Sequence, residues 1–273
     1  MSPTHDANAA DATAAAAWAT PPAAAKLVFL PGLANDAEVW ADVRVALQRV
    51  APPALQPLLA AAQVGDLHTR HATLPQMAQA LLEEHPGPLV LVGHSMGGML
   101  ALHAVRLAPA RVVGLALLGT TARPDTPELL QLRRDACVQF AAGRLDEVLR
   151  ANVAFAFHPE HAADAAMVAR YFAIVRRAGA EQLIAQNQAV MARDDSRPHL
   201  AAIDTRACPT LVLCGEADGL TPPGVSREIA DSVPGARFEV LPRCGHMLTL
   251  EQPAAVAERL ADWLMQAVLR SGR

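Results

Sequence analysis

Lysine is almost absent from this sequence: Lys26 is the single example, and no G-x-x-x-x-G-K-[ST] motif is present. P-loop nucleotide hydrolysis and Schiff-base catalysis are therefore excluded. The formal net charge is −4, so the chain has no basic field that could hold a nucleic acid or an anionic membrane surface. We expect neither of these as a partner.

Aromatic residues are also scarce. They make up 4% of the chain, whereas 52% is hydrophobic, so the core must be built mainly from alanine, leucine and valine. The four cysteines form no C-x-x-C pair and no zinc-binding spacing, which is typical of buried thiols in a reducing compartment. Residues 1–25 carry no Lys or Arg, unlike the start of a secretory signal. We expect a cytoplasmic protein without a metal or organic cofactor.

Short apolar runs alternate with segments of helical periodicity after residue 25, whereas residues 1–25 are predicted to be a disordered tail rich in alanine and proline. The predicted strands lie at residues 26–30, 58–62, 88–92, 112–118, 209–214 and 237–241, of which the second is weakened by Pro57. The predicted helices between and after them lie at residues 39–50, 73–85, 96–108, 226–232 and 254–270. This alternation predicts an α/β fold with a mostly parallel sheet of about six strands, covered by helices on both faces.

The middle of the chain, residues 124–202, contains no strand-like run. Helical periodicity covers residues 127–142, 145–155, 162–177 and 181–191. We therefore predict a helical cap at residues 124–202, inserted into a core formed by residues 26–123 and 203–273.

The strongest motif is G-H-S-M-G-G at residues 93–98, between a predicted strand and a predicted helix. In such a tight turn a serine projects its Oγ out of the sheet, and little space remains for side chains two residues before and after it, where Gly93 and Gly97 stand. The amide of Met96, at the helix N-terminus, favours developing negative charge nearby. Ser95 is therefore the candidate nucleophile.

A serine hydroxyl needs a histidine base and an orienting carboxylate. Among the ten histidines, His246 is the best placed, because it lies between the last predicted strand and the last predicted helix. Asp218 follows the preceding predicted strand and is the candidate acid, and the chain order Ser95, Asp218, His246 is the one that this architecture uses. Asp125 and Glu216 remain alternatives for the acid.

These motifs resemble those of single-cap α/β-hydrolases, similar to bacterial carboxylesterases and 3-oxoadipate enol-lactonases. The matching segments are residues 30–33 (L-P-G-L), 93–98, 209–218 (P-T-L-V-L-C-G-E-A-D), 245–246 (G-H) and 251–253 (E-Q-P). The resemblance spans residues 26 to about 265 and implies the α/β-hydrolase fold.

The resemblance implies roles for individual residues: Ser95 as nucleophile, His246 as base, Asp218 as the orienting acid, and the backbone N–H groups of Leu33 and Met96 as the oxyanion hole. The family usually has His-Gly where this chain has proline and Gly32, so the hydrogen bonding of that loop must differ. The family also often begins with an antiparallel hairpin, for which residues 1–25 contain no strand pattern.

Half of the aromatic residues lie in the predicted cap, where they either form its own small core or line an apolar acyl pocket. The candidate pocket residues are Trp40, Met99, Phe155, Phe157 and Tyr171. Three arginines of the same segment, Arg170, Arg176 and Arg177, could pair with a substrate carboxylate or form a solvated helix face.

The expected reaction is hydrolysis of a small, mostly apolar ester or lactone through an acyl-enzyme. The same triad could support C–C bond hydrolysis, perhydrolysis or acyl transfer, and the scaffold could serve as a slow-turnover small-molecule receptor or signalling protein.

Overall fold

The structure, a computed structural model, describes residues 25–270, with side chains up to residue 265, so nearly all of the predicted N-terminal tail lies outside the described residues. Six parallel strands form one sheet in the order β2-β1-β3-β4-β5-β6. The strands are β1 (Lys26–Leu30), β2 (Gln63–Val64), β3 (Leu89–His94), β4 (Val112–Leu118), β5 (Thr210–Gly215) and β6 (Arg237–Leu241). The predicted parallel sheet of about six strands is thereby confirmed.

Helices fill the connections between these strands and follow the last strand. They are α1 (Ala41–Val50), α2 (Gln56–Ala60), α3 (Leu74–Glu84), α4 (Met96–Leu107), α5 (Pro127–Ala141), α6 (Leu145–Ala156), α7 (Pro159–Ala162), α8 (Ala165–Met191), α9 (Arg197–Leu200), α10 (Pro223–Ser232), α11 (Leu248–Glu251) and α12 (Pro253–Arg270). Short 3₁₀ turns cover Ala37–Trp40, Pro53–Leu55 and Leu67–Thr69. Among the described residues, no helix combines the length and the apolar character that crossing a membrane requires.

The central strands are continuous apolar runs because helices cover both faces of the sheet. Alternate side chains of a strand point to opposite faces. Val90 and Val92 of β3 belong to the apolar cluster that includes residues of α1 and α12, whereas Leu89 and Leu91 belong to the cluster with α3 and α4. The sheet is therefore the middle layer of three, and its carboxyl edge is left for the loops that follow each strand.

The predicted strand at residues 58–62 is wrong. Residues 56–60 form α2 instead, with Pro57 in its first turn, where a missing amide hydrogen costs no intrahelical bond. The strand follows later, as the two residues of β2, and it pairs with β1 at the edge of the sheet.

The helices between β4 and β5 follow the predicted periodic segments closely. The last two predicted segments form one assigned helix, α8, but Gly179 interrupts it with φ 75° and ψ 170°. That conformation is open to glycine and strained for other residues, so the chain changes direction there. The division into a core and a cap stays a prediction, and residues 124–202 are called the insertion below.

Candidate active site

Ser95 occupies a sharp turn between β3 and α4. Its backbone has φ 54° and ψ −118°, a conformation that L-residues rarely adopt and that the surroundings must enforce. The amide of Ser95 donates to the carbonyl oxygen of Leu118 at 2.9 Å, and its own carbonyl accepts from Thr120 Oγ1 at 2.7 Å. The end of β4 therefore holds the turn on both sides, and the side chain of Ser95 stays partly exposed.

The two glycines that flank this turn are required by space. A Cβ on Gly97 would overlap the carbonyl oxygen of Leu30, and a Cβ on Gly93 would overlap the backbone of Gly97. The backbone of α4 thus approaches the end of β1 so closely that no side chain fits between them. This contact explains the spacing of the G-x-S-x-G motif in physical terms.

Asp218 and His246 form a buried pair at the ends of β5 and β6. Oδ2 of Asp218 lies 2.9 Å from Nδ1 of His246, and both residues are almost fully buried. The carboxylate also accepts hydrogen bonds from the amide of Leu220 at 2.9 Å and from the amide and hydroxyl of Thr221 at 2.7 and 2.8 Å. Thr221 was not identified from the sequence, although its position three residues after an aspartate is a recognisable turn signal.

The ionisation of Asp218 is set by competing effects. Burial alone would raise the pKa of Asp218, but the charge of His246 and the hydrogen bonds from His246 and Thr221 outweigh it. The pKa of this carboxyl therefore lies below its ordinary value, and Asp218 is an anion at neutral pH. An anionic acceptor fixes the Nδ1–H tautomer of His246, which leaves Nε2 as the free base.

The loop after β4 brings the serine turn and this pair together. Gly119 follows directly after β4, whose last residue, Leu118, accepts the hydrogen bond from the Ser95 amide. A Cβ built on Gly119 would lie 3.3 Å from Oδ2 of Asp218 and 3.4 Å from Nδ1 of His246. Its amide donates to the carbonyl oxygen of Leu213 in β5 at 2.8 Å. The structure thus brings Ser95, Asp218 and His246 to one region at the carboxyl edge of the sheet.

His94, beside the serine, supports the same region and was not identified from the sequence. Its Nε2 donates to the carbonyl oxygen of His246 at 2.9 Å, and the two imidazole rings lie 5.0 Å apart. Burial and the nearby charge of His246 lower the pKa of His94 to about 3, so its ring stays neutral. Its place inside the G-x-S-x-G motif was the only signal that could have identified it.

Glu251 connects the histidine loop to the insertion. Its buried carboxylate accepts from the amide of Gly245 at 3.0 Å and from the amide of His158 at 2.9 Å, and Nδ1 of His161 lies 2.8 Å away. The carbonyl oxygens of Phe155 and Ala156 at the end of α6 accept from the amides of Gly219 and Met247, both at 3.0 Å. The acid loop and the histidine loop are therefore both attached to residues 155–158.

The two alternative acids lie elsewhere. Asp125 is paired with Arg133 at 2.7 Å and with Arg193 at 2.6 Å. Burial would raise the pKa of Asp125, but these two guanidinium groups lower it. Glu216 accepts from the amide of Arg243 at 3.1 Å. Of the three carboxylates considered, Asp218 is the one hydrogen-bonded to the imidazole of His246.

The candidate oxyanion donors, Leu33 and Met96, flank the serine. A Cβ on Gly32 would lie 3.1 Å from Cβ of Ser95, so the loop after β1 passes beside the nucleophile. Met96 is the first residue of α4. Within residues 25–270, neither the Leu33 amide nor the Met96 amide donates a hydrogen bond to a backbone carbonyl of another segment.

The candidate pocket residues are dispersed. Trp40 is fully buried, with its ring 5.0 Å from that of Phe29 and edge-on to His94 at 6.4 Å. Met99 is buried in the apolar cluster on the α3 and α4 side. The structure therefore places Trp40 edge-on to His94, the residue before Ser95, and buries Met99 in the apolar cluster on the other face of the sheet.

The aromatic residues of the insertion differ in exposure. Phe157 and Tyr171 are buried with their rings 5.3 Å apart, and the Tyr171 hydroxyl accepts from Asn152 at 3.0 Å. Phe155 is 57% exposed. That any of these residues contacts an acyl group stays a prediction.

The three arginines considered as partners of a substrate carboxylate are all engaged in ion pairs within the chain. Arg170 pairs with Glu38 and Asp42, Arg177 with Asp36 and Glu38, and Arg176 with Asp146. Two of them therefore connect α8 to the segment just after β1, and each has a carboxylate partner within the chain.

Comparison with known proteins places the chain in a family of hydrolases. Residues 27–259 match the model of the Alpha/beta hydrolase family. The chain is similar to a pimeloyl-[acyl-carrier protein] methyl ester esterase of Aromatoleum aromaticum, with 28% identity over 86% of this chain and 96% of that protein. Its fold is similar to that of a thermophilic esterase from Thermogutta terrifontis, with a TM-score of 0.75, 25% identity and 91% of each chain covered. It is also similar to the fold of the enol-lactonase from Burkholderia xenovorans LB400, with a TM-score of 0.74, 22% identity and coverage of 89% of this chain and 92% of that one. The chain therefore belongs to the α/β hydrolase family, as a hydrolase related to its esterases.

Proposed function

We propose that the protein is a serine hydrolase that cleaves small, mostly apolar carboxylic esters or lactones through an acyl-enzyme. The observation that carries this proposal is the position of the strained Ser95 turn beside the buried Asp218–His246 pair. A pair of this kind supplies the base that a serine hydroxyl lacks, and the turn exposes the hydroxyl at the edge of the sheet.

In the first half-reaction, Nε2 of His246 takes the proton of Ser95 as Oγ attacks the carbonyl carbon of the ester. Asp218 holds the Nδ1–H tautomer and stabilises the imidazolium that forms. His246 then gives the proton to the departing alcohol, and the acyl group remains on Ser95. In the second half-reaction, His246 removes a proton from water, which attacks the carbonyl carbon of the acyl-enzyme. His246 then returns this proton to Oγ of Ser95 as the bond between Oγ and the acyl group breaks, and the carboxylic acid is released.

Among the described residues no hydrogen bond joins Oγ of Ser95 to Nε2 of His246. Catalytic hydrogen bonds are often loose in ligand-free proteins and tighten when substrate binds. The neighbouring contacts support a position of the His246 ring close to the Ser95 hydroxyl. His94, the residue before Ser95, donates a hydrogen bond to the backbone of His246, and β4 holds the Ser95 turn.

The oxyanion of each tetrahedral intermediate would be bound by the amides of Leu33 and Met96. Both lie beside Ser95, and Met96 adds the field of a helix N-terminus. A donor of this kind contributes about 3–4 kcal/mol to transition-state stabilisation. Since the donors are backbone groups, proline in place of the family's histidine at position 31 does not remove them.

The insertion at residues 124–202 would act as a cap over a core of residues 26–123 and 203–273. Its support is the contact of residues 155–158 with both the acid loop and the histidine loop. A layer of helices in this place would exclude water from the reaction and strengthen the oxyanion contacts.

A reducing, cytoplasmic environment would suit the four free thiols.

The direct test is a screen of the purified protein against nitrophenyl esters of increasing acyl length and a matched series of lactones, with S95A as the control. Sustained turnover that disappears in S95A supports the proposal. A single burst without turnover would instead favour a slow-turnover receptor, and activity that survives in S95A would exclude the proposed nucleophile. Supplying an alcohol acceptor and identifying the product distinguishes hydrolysis from acyl transfer.

A further inference from the structure

The loop that carries the Leu33 amide contains a strained residue. Ala34, directly after Leu33, has φ 60°, in the left-handed region that disfavours any residue with a Cβ. Such a conformation persists when neighbouring groups hold it in place. Two contacts hold the far end of the loop: the Asn35 amide donates to the Gly32 carbonyl at 3.2 Å, and Nε2 of His68 donates to the Asn35 carbonyl at 2.7 Å.

The contact on Ala34 itself comes from the insertion. The Ala34 amide donates to Oε1 of Gln186 at 2.6 Å. Gln186 lies 152 residues further along the chain, on the part of α8 after the break at Gly179, and its side chain is buried, with 1% of the residue exposed. A hydrogen bond between a buried amide oxygen and a buried backbone N–H is costly to break, because separation would leave both groups without a partner.

The orientation of the Gln186 side chain is fixed by a second residue. Its Nε2 donates to Oε1 of Gln182 at 3.2 Å, and Nε2 of Gln182 in turn donates to the carbonyl oxygen of Thr69 at 3.2 Å. Both ends of the Gln186 amide are therefore engaged, and its oxygen points to Ala34. Gln182 and Gln186 are four residues apart and so lie on one face of the helix.

We infer that Gln186 is a positioning residue for the oxyanion hole, an inference that rests on the proposed function. The Ala34 N–H belongs to the peptide plane that joins Leu33 to Ala34, so a hydrogen bond to it fixes the rotation of that plane. The Leu33 N–H lies in the preceding peptide plane, between Gly32 and Leu33, whose carbonyl oxygen accepts from the Asn35 amide. The two hydrogen bonds therefore fix the peptide planes on both sides of the Leu33 Cα, and with them the direction of the Leu33 N–H. The insertion would therefore contribute to transition-state stabilisation through one side chain that touches neither substrate nor Ser95.

The test compares Q186M with Q188M. Methionine at 186 keeps the length and apolar bulk of the side chain but removes the acceptor, whereas Gln188 is an exposed residue of the same helix and controls for the glutamine-to-methionine change. For each variant, kcat and KM are measured with the best nitrophenyl ester. The inhibition constant of a trifluoromethyl ketone of matching chain length is measured as well, since its adduct with a serine places an oxyanion in the hole.

We expect Q186M to lower kcat by about 10-fold to 100-fold, as displaced positioning groups do, with KM nearly unchanged. The trifluoromethyl ketone should bind more weakly by a similar factor, and Q188M should match the unmodified protein in all three constants. Melting temperatures of both variants report whether the fold is kept. If Q186M is folded and its kcat and ketone affinity equal those of Q188M, the inference is wrong.

Q186E provides the second comparison, because a carboxylate keeps an acceptor for the Ala34 amide. We expect Q186E to keep more of kcat and of ketone affinity than Q186M, and equal losses in the two variants would contradict a role for the acceptor. If Q186M does not fold, the test rests on Q186E alone. The inference is supported if kcat and ketone affinity of Q186E stay within about 10-fold of those of the unmodified protein, and a larger loss contradicts it. Failure of the proposed function looks different, since the unmodified protein would then not turn over esters, or S95A would remain active.

Discussion

Oδ2 of Asp218 lies 2.9 Å from Nδ1 of His246, although the two residues are 28 positions apart and follow different strands. Each sits in a loop that also donates a backbone hydrogen bond to the end of α6. The pair is therefore fixed by the sheet from below and by the insertion from the side. This double attachment gives the acid and the base a defined separation before any substrate arrives.

The acid assignment is tested by D218N and D125N. D218N should keep the fold but lower kcat by roughly 10⁴-fold, because an amide neither holds the imidazole tautomer nor stabilises imidazolium as a carboxylate does. D125N should keep the kcat of the folded enzyme, and steady-state kinetics on both variants measures the difference. A large kcat loss in D125N with a small one in D218N would place the acid after β4 instead.

D125N should nevertheless be less stable than the unmodified protein. Arg193 is buried beside Asp125, and removal of one partner of a buried ion pair leaves an uncompensated charge, which costs about 3–5 kcal/mol. Denaturant unfolding of D125N measures this loss in the free energy of unfolding. An unchanged midpoint would show that the Asp125 pair does not contribute to stability.

The pH dependence of stability follows from the lowered pKa of Asp218. A group whose pKa is lower in the folded than in the unfolded protein stabilises the fold fully above its ordinary value, 3.8 for this carboxyl, and this contribution is lost as the pH falls through the folded value. The difference in unfolding free energy between the unmodified protein and D218N should therefore shrink as the pH falls below 3.8. Melting curves over an acid pH series check this, and a difference that grows toward low pH would contradict a lowered pKa of Asp218 in the folded protein.

Much of the catalytic architecture could be predicted from the sequence because local rules govern it. The central strands are continuous apolar runs, and the serine turn needs glycines two residues before and after the serine. Both patterns are therefore visible within a few residues of sequence. The edge strand β2 could not be predicted, because two residues with a single neighbouring strand leave almost no pattern. The hydrogen bonds of Gln186 to Ala34 and of Glu251 to His158 join distant parts of the chain, and no local pattern specifies them.

The glycines that flank the Ser95 turn provide a steric test with a matched control. G97A should abolish both activity and native stability, since the added Cβ would overlap the backbone at the end of β1. G224A is the control, because a Cβ on Gly224 meets nothing within 4 Å, and it should leave the melting temperature and kcat nearly unchanged. An active, stable G97A protein would show that α4 can move away from the end of β1 at little cost.

The role of the aromatic residues in the insertion is tested by Y171A and F155A. Tyr171 is buried among apolar residues, so its truncation should cost about 3–5 kcal/mol of stability. Phe155 is 57% exposed, and its truncation should cost far less. If either side chain limits the acyl group, kcat/KM over a series of nitrophenyl esters should shift toward longer chains in that variant, and an unchanged profile would remove the residue from the predicted pocket.

The identity of the nucleophile is tested by labelling with a fluorophosphonate, followed by intact-mass analysis and peptide mapping. A fluorophosphonate forms a stable phosphonyl bond with an activated serine and releases fluoride, so it reports the nucleophile itself. We predict one adduct per chain, on the peptide that contains Ser95, with loss of esterase activity in proportion to labelling and no adduct on S95A. An adduct on a different serine, or an active protein that takes no label, would contradict the assignment of Ser95.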